Sequence, residues 1–211
     1  MCKRVGLRDP PSLRWALTGG GPLAPALLER AHAAGVPAVA TYGLTEACSQ
    51  VSTGGPPLFC TRVELDEDGE ILVGGPTVAP GSLGADGRLH TGDLGEIDAN
   101  GFLRVSGRKA DTIISGGENV APSEVEAVLE AHPSVIEAAV LGRPDPQWGE
   151  AVVAIVVTSP QQAIEEAELR EHCLARLAPY KVPKQVRIVS DSLPRTASGK
   201  LLRRELQGIS I

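Results

Sequence analysis

The sequence predicts an α/β fold that opens on a strand, a glycine turn and a helix, continues through β-hairpins, and closes in a small α+β module. Three observations carry this reading. Leu13-Arg14-Trp15-Ala16-Leu17 reads as a buried strand running into Thr18-Gly19-Gly20-Gly21-Pro22, with a helical stretch at residues 25–34. Residues 95–105 hold two short β-like runs around Asn100-Gly101, a strong hairpin signal. Beyond residue 120 the pattern becomes helix, strand, strand, helix, strand, with strands expected at 137–141, 150–157 and 186–190 and a helix at 165–177.

At 211 residues, 42% of them hydrophobic, the chain can form one large or two small domains with a sizeable core. A net charge of −6 gives no reason to expect nucleic acid or an anionic membrane as partner, and Lys3-Arg4 and Arg203-Arg204 are too short to change that. Aromatic residues make up only 3%, too few for a stacking platform for single-stranded nucleic acid. No apolar run approaches the roughly 20 residues that span a bilayer, and the amino terminus lacks the apolar core of a signal peptide. The expected location is the cytoplasm. Cys2, Cys48, Cys60 and Cys173 form no CxxC pair or metal-ligand spacing, so reduced thiols are the simplest account.

The strand–glycine turn–helix unit is the first candidate for a binding site, because parallel α/β units place ligands beyond the carboxyl ends of their strands. The bland reading is a tight crossover turn. A second strand, expected at 36–41, closes in Tyr42-Gly43-Leu44-Thr45-Glu46. There a tyrosine can stack on a purine, a threonine hydroxyl can donate to a phosphoryl oxygen, and a glutamate can hold Mg²⁺ against that phosphate. Tyr42 is otherwise a core aromatic. Residues 60–73 alternate as strands around Asp66-Glu67-Asp68-Gly69, whose acidic run is expected to be a solvated hairpin tip rather than a metal site.

Thr91-Gly92-Asp93 sets a hydroxyl and a carboxylate beside a glycine, a grouping suited to a tight loop that accepts hydrogen bonds from a sugar diol, or to an ordinary turn. Arg108 ends the strand after the Asn-Gly turn, where a lone arginine is usually a solvated charge. The β-branched run Thr112-Ile113-Ile114 leads to Ser115-Gly116-Gly117-Glu118-Asn119, whose glycines allow a ligand chain to lie against bare peptide. A helix follows from Pro122, with Val125, Val128 and Leu129 on one face. Near the end, Leu193-Pro194-Arg195-Thr196-Ala197-Ser198-Gly199-Lys200 precedes a short helix at 201–206; it is not a Walker A loop, since the leading glycine and the hydroxyl residue after the lysine are missing.

Taken together, YGLTE, TGDLGEID, NGFLRVSGRKADTIISGGENVAPSEVEAVL and LPRTASGKLLRREL resemble the adenylate-forming superfamily of acyl-CoA synthetases, adenylation domains and luciferases, in the family's order and over residues 13–206. The resemblance implies residues 1–108 as the carboxyl-terminal part of the large AMP-binding domain, with strands, helices and a β-rich segment. Residues 109–211 would be the small, mobile α+β domain. It also implies ATP, Mg²⁺ and coenzyme A as ligands, with a small carboxylic acid activated as its adenylate. Gly19, Gly20 and Gly21 would pack along the adenine; Tyr42 and Thr45 would hold the nucleotide; Glu46 would hold the metal; Asp93 and Arg108 would grip the ribose. Ser115, Gly116, Gly117, Glu118 and Asn119 would line the coenzyme A tunnel, and Lys200, with Thr45 and Glu46, would be catalytic. Within the superfamily, GGGPLAPALLERA, TYGLTEACSQV and the compact segment before TGD look most like o-succinylbenzoate-CoA ligases of menaquinone biosynthesis.

Two departures matter. The family's hinge residue, commonly Asp or Lys, falls at Ala110, between Lys109 and Asp111. Nothing in the sequence matches the family's Ser/Thr/Gly-rich phosphate loop, whose backbone cradles the β and γ phosphates. The chain is therefore expected to be the carboxyl-terminal part of a ligase: a truncated product, a fragment, or half of a split enzyme. The alternatives are a non-catalytic module that keeps AMP or coenzyme A affinity, and a structural subunit completing a separate amino-terminal segment. The latter predicts an exposed apolar surface on residues 13–51.

Overall fold

The computed structural model describes residues 12–21, 23, 25–159, 164–197 and 199–209. Cys2, Lys3-Arg4, Pro22 and Ser198, all named in the sequence reading, lie outside them. Contacts divide the chain into two compact units, Met1–Lys109 and Ala110–Ile211.

In the first unit, strand β1 (Ala16–Thr18) is followed by helix α1 (Pro25–Ala33) and strand β2 (Ala38–Leu44). Proline opens the helix, where its missing N–H costs nothing. Arg30 and His32 sit in the last turn against the negative end of the dipole. Gly35, at φ 71°, closes it. β1 and β2 pair in parallel from Ala16↔Ala38 to Thr18↔Ala40, and β2 pairs antiparallel with β3 (Ser49–Thr53). A register shift between Tyr42 and Gly43 interrupts that second pairing. Here the strands approach so closely that a Cβ on Gly43 would overlap the Ser49 carbonyl oxygen.

The expectation of a buried first strand needs correction. β1 forms, but it starts at Ala16, and Trp15 and Leu17 are 65% and 56% exposed, with Leu13 also exposed. β1 is the edge of a three-stranded sheet, and the described residues do not cover that face.

A four-stranded antiparallel meander completes the unit: β4 (Arg62–Leu65), β5 (Glu70–Gly74), β6 (Leu89–Ile97) and β7 (Leu103–Arg108). Its turns are fixed by aspartates. Asp66 accepts the amides of Asp68 and Glu70 at 2.9 and 2.7 Å, and Asp98 accepts those of Asn100 and Phe102 at 2.9 and 3.0 Å. Ile71, Val73, Leu89 and Leu103 from this sheet pack with Ala47 and Val51, so one apolar core joins the meander to the turn that follows β2.

The second unit is built on β10 (Val135–Asp145) and β11 (Gly149–Thr158), paired antiparallel over nearly their whole length. β12 (Gln185–Val189) runs parallel to β11, while the short hairpin β8 (Ile113–Ser115) and β9 (Glu118–Val120) joins through Ser115↔Gly149. The run Val152-Val153-Ala154-Ile155-Val156-Val157 is buried throughout, as expected of a strand covered on both faces. Val152, Ala154 and Val156 meet Val125 and Leu129 of α2 (Pro122–Glu130) and Leu169 and Cys173 of α3 (Glu166–Leu174). Val153, Ile155 and Val157 meet Leu193 and Leu206 from the last segment.

Two helices are shorter than the periodicity predicts: α3 stops at Leu174, and the last helix, α4, covers only Arg203–Leu206. Leu201 is withheld from α4 because it bridges to Arg195, and the Leu202 amide is taken by the Pro194 carbonyl at 2.9 Å. No helix among the described residues is long and apolar enough to cross a membrane.

Candidate active site

The first unit gathers its polar groups at the carboxyl ends of β1 and β2. The glycine turn leaves β1 beside Thr41, whose hydroxyl donates to the Thr18 carbonyl at 3.2 Å. A Cβ on Gly19 would overlap the Thr41 hydroxyl, so the turn lies directly on β2, one residue before Tyr42. Gly19, Gly20 and Gly21 are exposed and offer bare backbone.

Tyr42 donates its hydroxyl to Asp93 Oδ2 at 2.9 Å, and Arg108 Nε lies 2.9 Å from Asp93 Oδ1. Residues 42, 93 and 108, far apart in sequence, thus meet around one carboxylate that is itself buried. β6 and β7 bring this about by pairing Asp93 directly with Arg108. Burial, reinforced by the Asp93 charge, raises the Tyr42 phenol above the ordinary tyrosine range, so it stays a neutral donor.

Thr45 and Glu46 follow β2 in a single 3-10 turn, Thr45–Ala47, and both are exposed. The turn is anchored by buried Ala47 and by the Ala79 amide, which donates to the Glu46 carbonyl at 2.8 Å. It ends in two residues in the left-handed region, Cys48 at φ 52° and Ser49 at φ 97°.

In the second unit, Gly116 and Gly117 take φ of 63° and 85° and form the two-residue turn between β8 and β9. The expected glycine loop is thus the turn of a tight hairpin, where paired positive φ suits the twist of a short ribbon. The Gly116 amide donates to the Trp148 carbonyl at 2.8 Å. Gly116 to Asn119 are exposed, but Ser115 is only 1% exposed and its hydroxyl has no partner. Ser115 is the last residue of β8 and lies on that strand's buried face, unlike the four exposed residues that follow it.

Lys200 lies on a turn closed by the Arg195↔Leu201 bridge, where the Thr196 amide donates to the Lys200 carbonyl at 2.8 Å. Arg195 pins this turn to β10 through Glu137, at 3.0 and 3.2 Å, and to the Gly199 carbonyl at 2.9 Å. Lys200 itself is exposed. The backbone is tied down while the ammonium projects into solvent.

Sequence reasoning missed Glu70 and Glu126. Both are buried carboxylates that accept a backbone amide, Gly92 in one case and Val140 in the other, at 2.9 and 2.8 Å. The signal for Glu126 was present: it falls on the apolar face of α2, next to Val125, where an acid needs a partner.

Two family models match the chain: "AMP-binding enzyme" over residues 3–83 and "AMP-binding enzyme C-terminal domain" over residues 124–200. The chain belongs to this family of adenylate-forming enzymes and corresponds to its carboxyl-terminal part. Among its relatives, a 2-succinylbenzoate-CoA ligase of Listeria monocytogenes is 42% identical over 218 residues, covering 93% of this chain and 46% of the relative. Among solved structures, o-succinylbenzoate CoA synthetase from Bacillus subtilis with the acyl-adenylate intermediate matches at TM-score 0.86 and 40% identity, over 97% of this chain and 48% of the other. The same enzyme with ATP and magnesium matches at TM-score 0.83 and 40% identity, over 95% and 48%. The chain spans about half the length of the curated relatives it matches.

Proposed function

We propose that this chain carries the carboxyl-terminal part of the machinery of an ATP-dependent acid-CoA ligase, acting on o-succinylbenzoate. The observation that carries the reading is the Asp93 carboxylate held between Tyr42 and Arg108 beside the bare glycine turn. A carboxylate fixed by an arginine and a phenol keeps lone pairs for two neighbouring hydroxyls, the pattern a ribose presents. The exposed Gly19-Gly20-Gly21 backbone suits the flat face of adenine. The substrate acid and the Mg²⁺ and coenzyme A requirements rest on the named relatives.

In the first step, a carboxylate oxygen of the acid attacks the α-phosphorus of ATP. A P–O bond forms, the bond to pyrophosphate breaks, and the acyl-adenylate remains. Lys200 supplies a cation to the charge that builds on the transferring group, and Thr45 donates a hydroxyl to a phosphoryl oxygen. Glu46, an exposed lone carboxylate, fits Mg²⁺, which takes one or two carboxylates and completes its shell with phosphate oxygens and water. When bound, the ion neutralises charge on the phosphates. In the second step, a coenzyme A thiolate attacks the acyl carbon and AMP leaves, giving the thioester. Gly116 to Asn119 offer the exposed hairpin backbone for the pantetheine arm.

The test is pyrophosphate release with ATP, Mg²⁺ and o-succinylbenzoate, run beside Lys200→Ala and followed by coenzyme A. Release that depends on Lys200 and proceeds to a thioester supports the reading. Release that ignores Lys200 overturns it.

The exposed strip of Leu13, Trp15 and Leu17 favours a second reading, in which the chain is a subunit completed by an amino-terminal segment that covers this face. That reading expects activity only when such a segment is supplied, and quenching of Trp15 exposure on mixing.

A further inference from the structure

Glu70 has no part in the chemistry above, yet it is a carboxylate 8% exposed at the edge of the first unit's core. Burying such a charge is costly unless it is fully engaged. Its two oxygens have separate tasks. Oε1 accepts the Gly92 amide at 2.9 Å, and Oε2 lies 3.4 Å from Lys109 Nζ, which also binds Asp68 at 2.9 Å.

The place where Glu70 acts is irregular. β5 and β6 pair as Glu70↔Leu94 and then as Leu72↔His90, so Thr91, Gly92 and Asp93 stand opposite the single residue Ile71. A bulge of this kind strips backbone groups of ladder partners and re-aims side chains. Three backbone groups here are met by side chains. The Thr91 hydroxyl donates to the Ile71 carbonyl at 2.7 Å, the Asp93 amide donates to the Thr91 hydroxyl at 3.1 Å, and the Gly92 amide takes Glu70. Gly92, at φ 70°, makes the turn in the chain. The result is an Asp93 carboxylate that reaches both Tyr42 and Arg108.

We propose that Glu70 is a positioning residue for the nucleotide site: its carboxylate holds the Gly92 amide, fixes the bulge in β6, and so aims Asp93. The Lys109 ammonium, beside its second oxygen, gives the carboxylate a charge partner. The nucleotide part of this inference rests on the function proposed above.

The experiment compares Glu70→Ala and Glu70→Gln in the full chain, with Gly92 amide exchange and the Tyr42 ring resonances read by NMR without nucleotide, and the AMP dissociation constant read by calorimetry. In Glu70→Ala, Gly92 exchange is expected to accelerate and the Tyr42 resonances to move. AMP affinity should fall about tenfold, the size of one lost charge-assisted hydrogen bond. Glu70→Gln keeps an acceptor for Gly92, so all three readouts stay within about threefold of the parent chain, less than about 0.7 kcal/mol. A structural role alone would not separate the two variants in this way. Should the alanine variant fail to fold, Glu70→Asp takes its place, since it keeps the charge but lacks the reach. Unchanged Gly92 exchange, unmoved Tyr42 resonances, or equal losses in the alanine and glutamine variants would overturn the proposal. If the parent chain binds no AMP, the nucleotide reading fails by itself, and the two NMR readouts still decide whether Glu70 aims Asp93.

Discussion

Arg203 and Glu126 meet as a two-pronged pair, Nη1 to Oε1 at 2.5 Å and Nη2 to Oε2 at 3.0 Å, joining the last helix of the second unit to α2. Both also hold Val140 of β10: Glu126 accepts its amide at 2.8 Å and Arg203 donates to its carbonyl at 2.9 Å. Burial disfavours the guanidinium charge, but the Glu126 bonds outweigh it, so the proton affinity of Arg203 is raised. Taking one partner from such a pair leaves a stranded charge, so Arg203→Met is expected to destabilise the second unit by about 3 kcal/mol. Denaturant unfolding followed at Trp148 measures this, and a loss below about 1 kcal/mol would place the pair with ordinary surface pairs.

Asp93→Ala should weaken AMP binding at least tenfold, because on the proposed function it removes the ribose acceptor along with the carboxylate that Tyr42 and Arg108 share. Tyr42→Phe removes one hydrogen bond to a charged acceptor, about 1.5–3 kcal/mol if the bond is fully formed. Calorimetric titration with AMP ranks the two, and an unaffected Asp93→Ala variant would remove Asp93 from the ribose role.

Lys200→Ala is expected to abolish adenylation while sparing thioester formation from supplied acyl-adenylate. The side chain is exposed, so stability should change by less than about 0.5 kcal/mol. Equal loss of both half-reactions, or a large stability change, would count against a mobile catalytic lysine.

Acid should weaken the second unit through His172. Burial, first of all, lowers its proton affinity below the ordinary imidazole value of 6.5, with Arg176 and His132 adding to the effect. Its Nε2 donates to the Val128 carbonyl at 3.0 Å and its ring packs edge-on against His132 at 4.9 Å. The unfolded chain takes up a proton that the folded chain refuses. Stability is therefore whole above pH 6.5 and falls as the pH drops from there toward the lowered folded value. His172→Gln should flatten that slope between pH 7.5 and 5; an unchanged slope would assign it to other groups.

Thiol reagents should separate the cysteines. Cys48 is exposed, while Cys173 is buried and its thiol is pushed up to about 11, so little thiolate is present at neutral pH. Peptide mapping after brief alkylation should find Cys48 modified and Cys173 intact until denaturant is added. Early labelling of Cys173 would mean that the contact between α3 and the sheet opens readily.

Much of this architecture could be read directly from the residues. The Asn100-Gly101 turn, the strand at residues 150–157 and the helix opening at Pro122 follow from local rules, because period and turn chemistry act over a few residues. Tyr42, Asp93 and Arg108 were each identifiable as candidates, but not their meeting at one carboxylate, which depends on the register of β6 against β7. Leu13 to Leu17 looked buried because apolar residues usually are; whether a partner covers an edge strand is not a local property. Ser115 looked like a loop residue, but it ends β8 on that strand's buried face. Glu70 gave no signal, since a glutamate before an apolar strand resembles any hairpin charge until the bulge opposite it is known.

The last segment supplies one entire wall of the second unit's core, Leu193 and Leu206 closing over Val153, Ile155 and Val157. During synthesis, then, the central strand is finished long before one of its faces can dry. Until that segment has emerged from the ribosome one face of the sheet is uncovered, and a message cut short between residues 190 and 205 would yield a chain that is complete in strands yet open to chaperones and proteases. Because Lys200 lies between Leu193 and Leu206, a chain cut short before the lysine also lacks Leu206 from that wall.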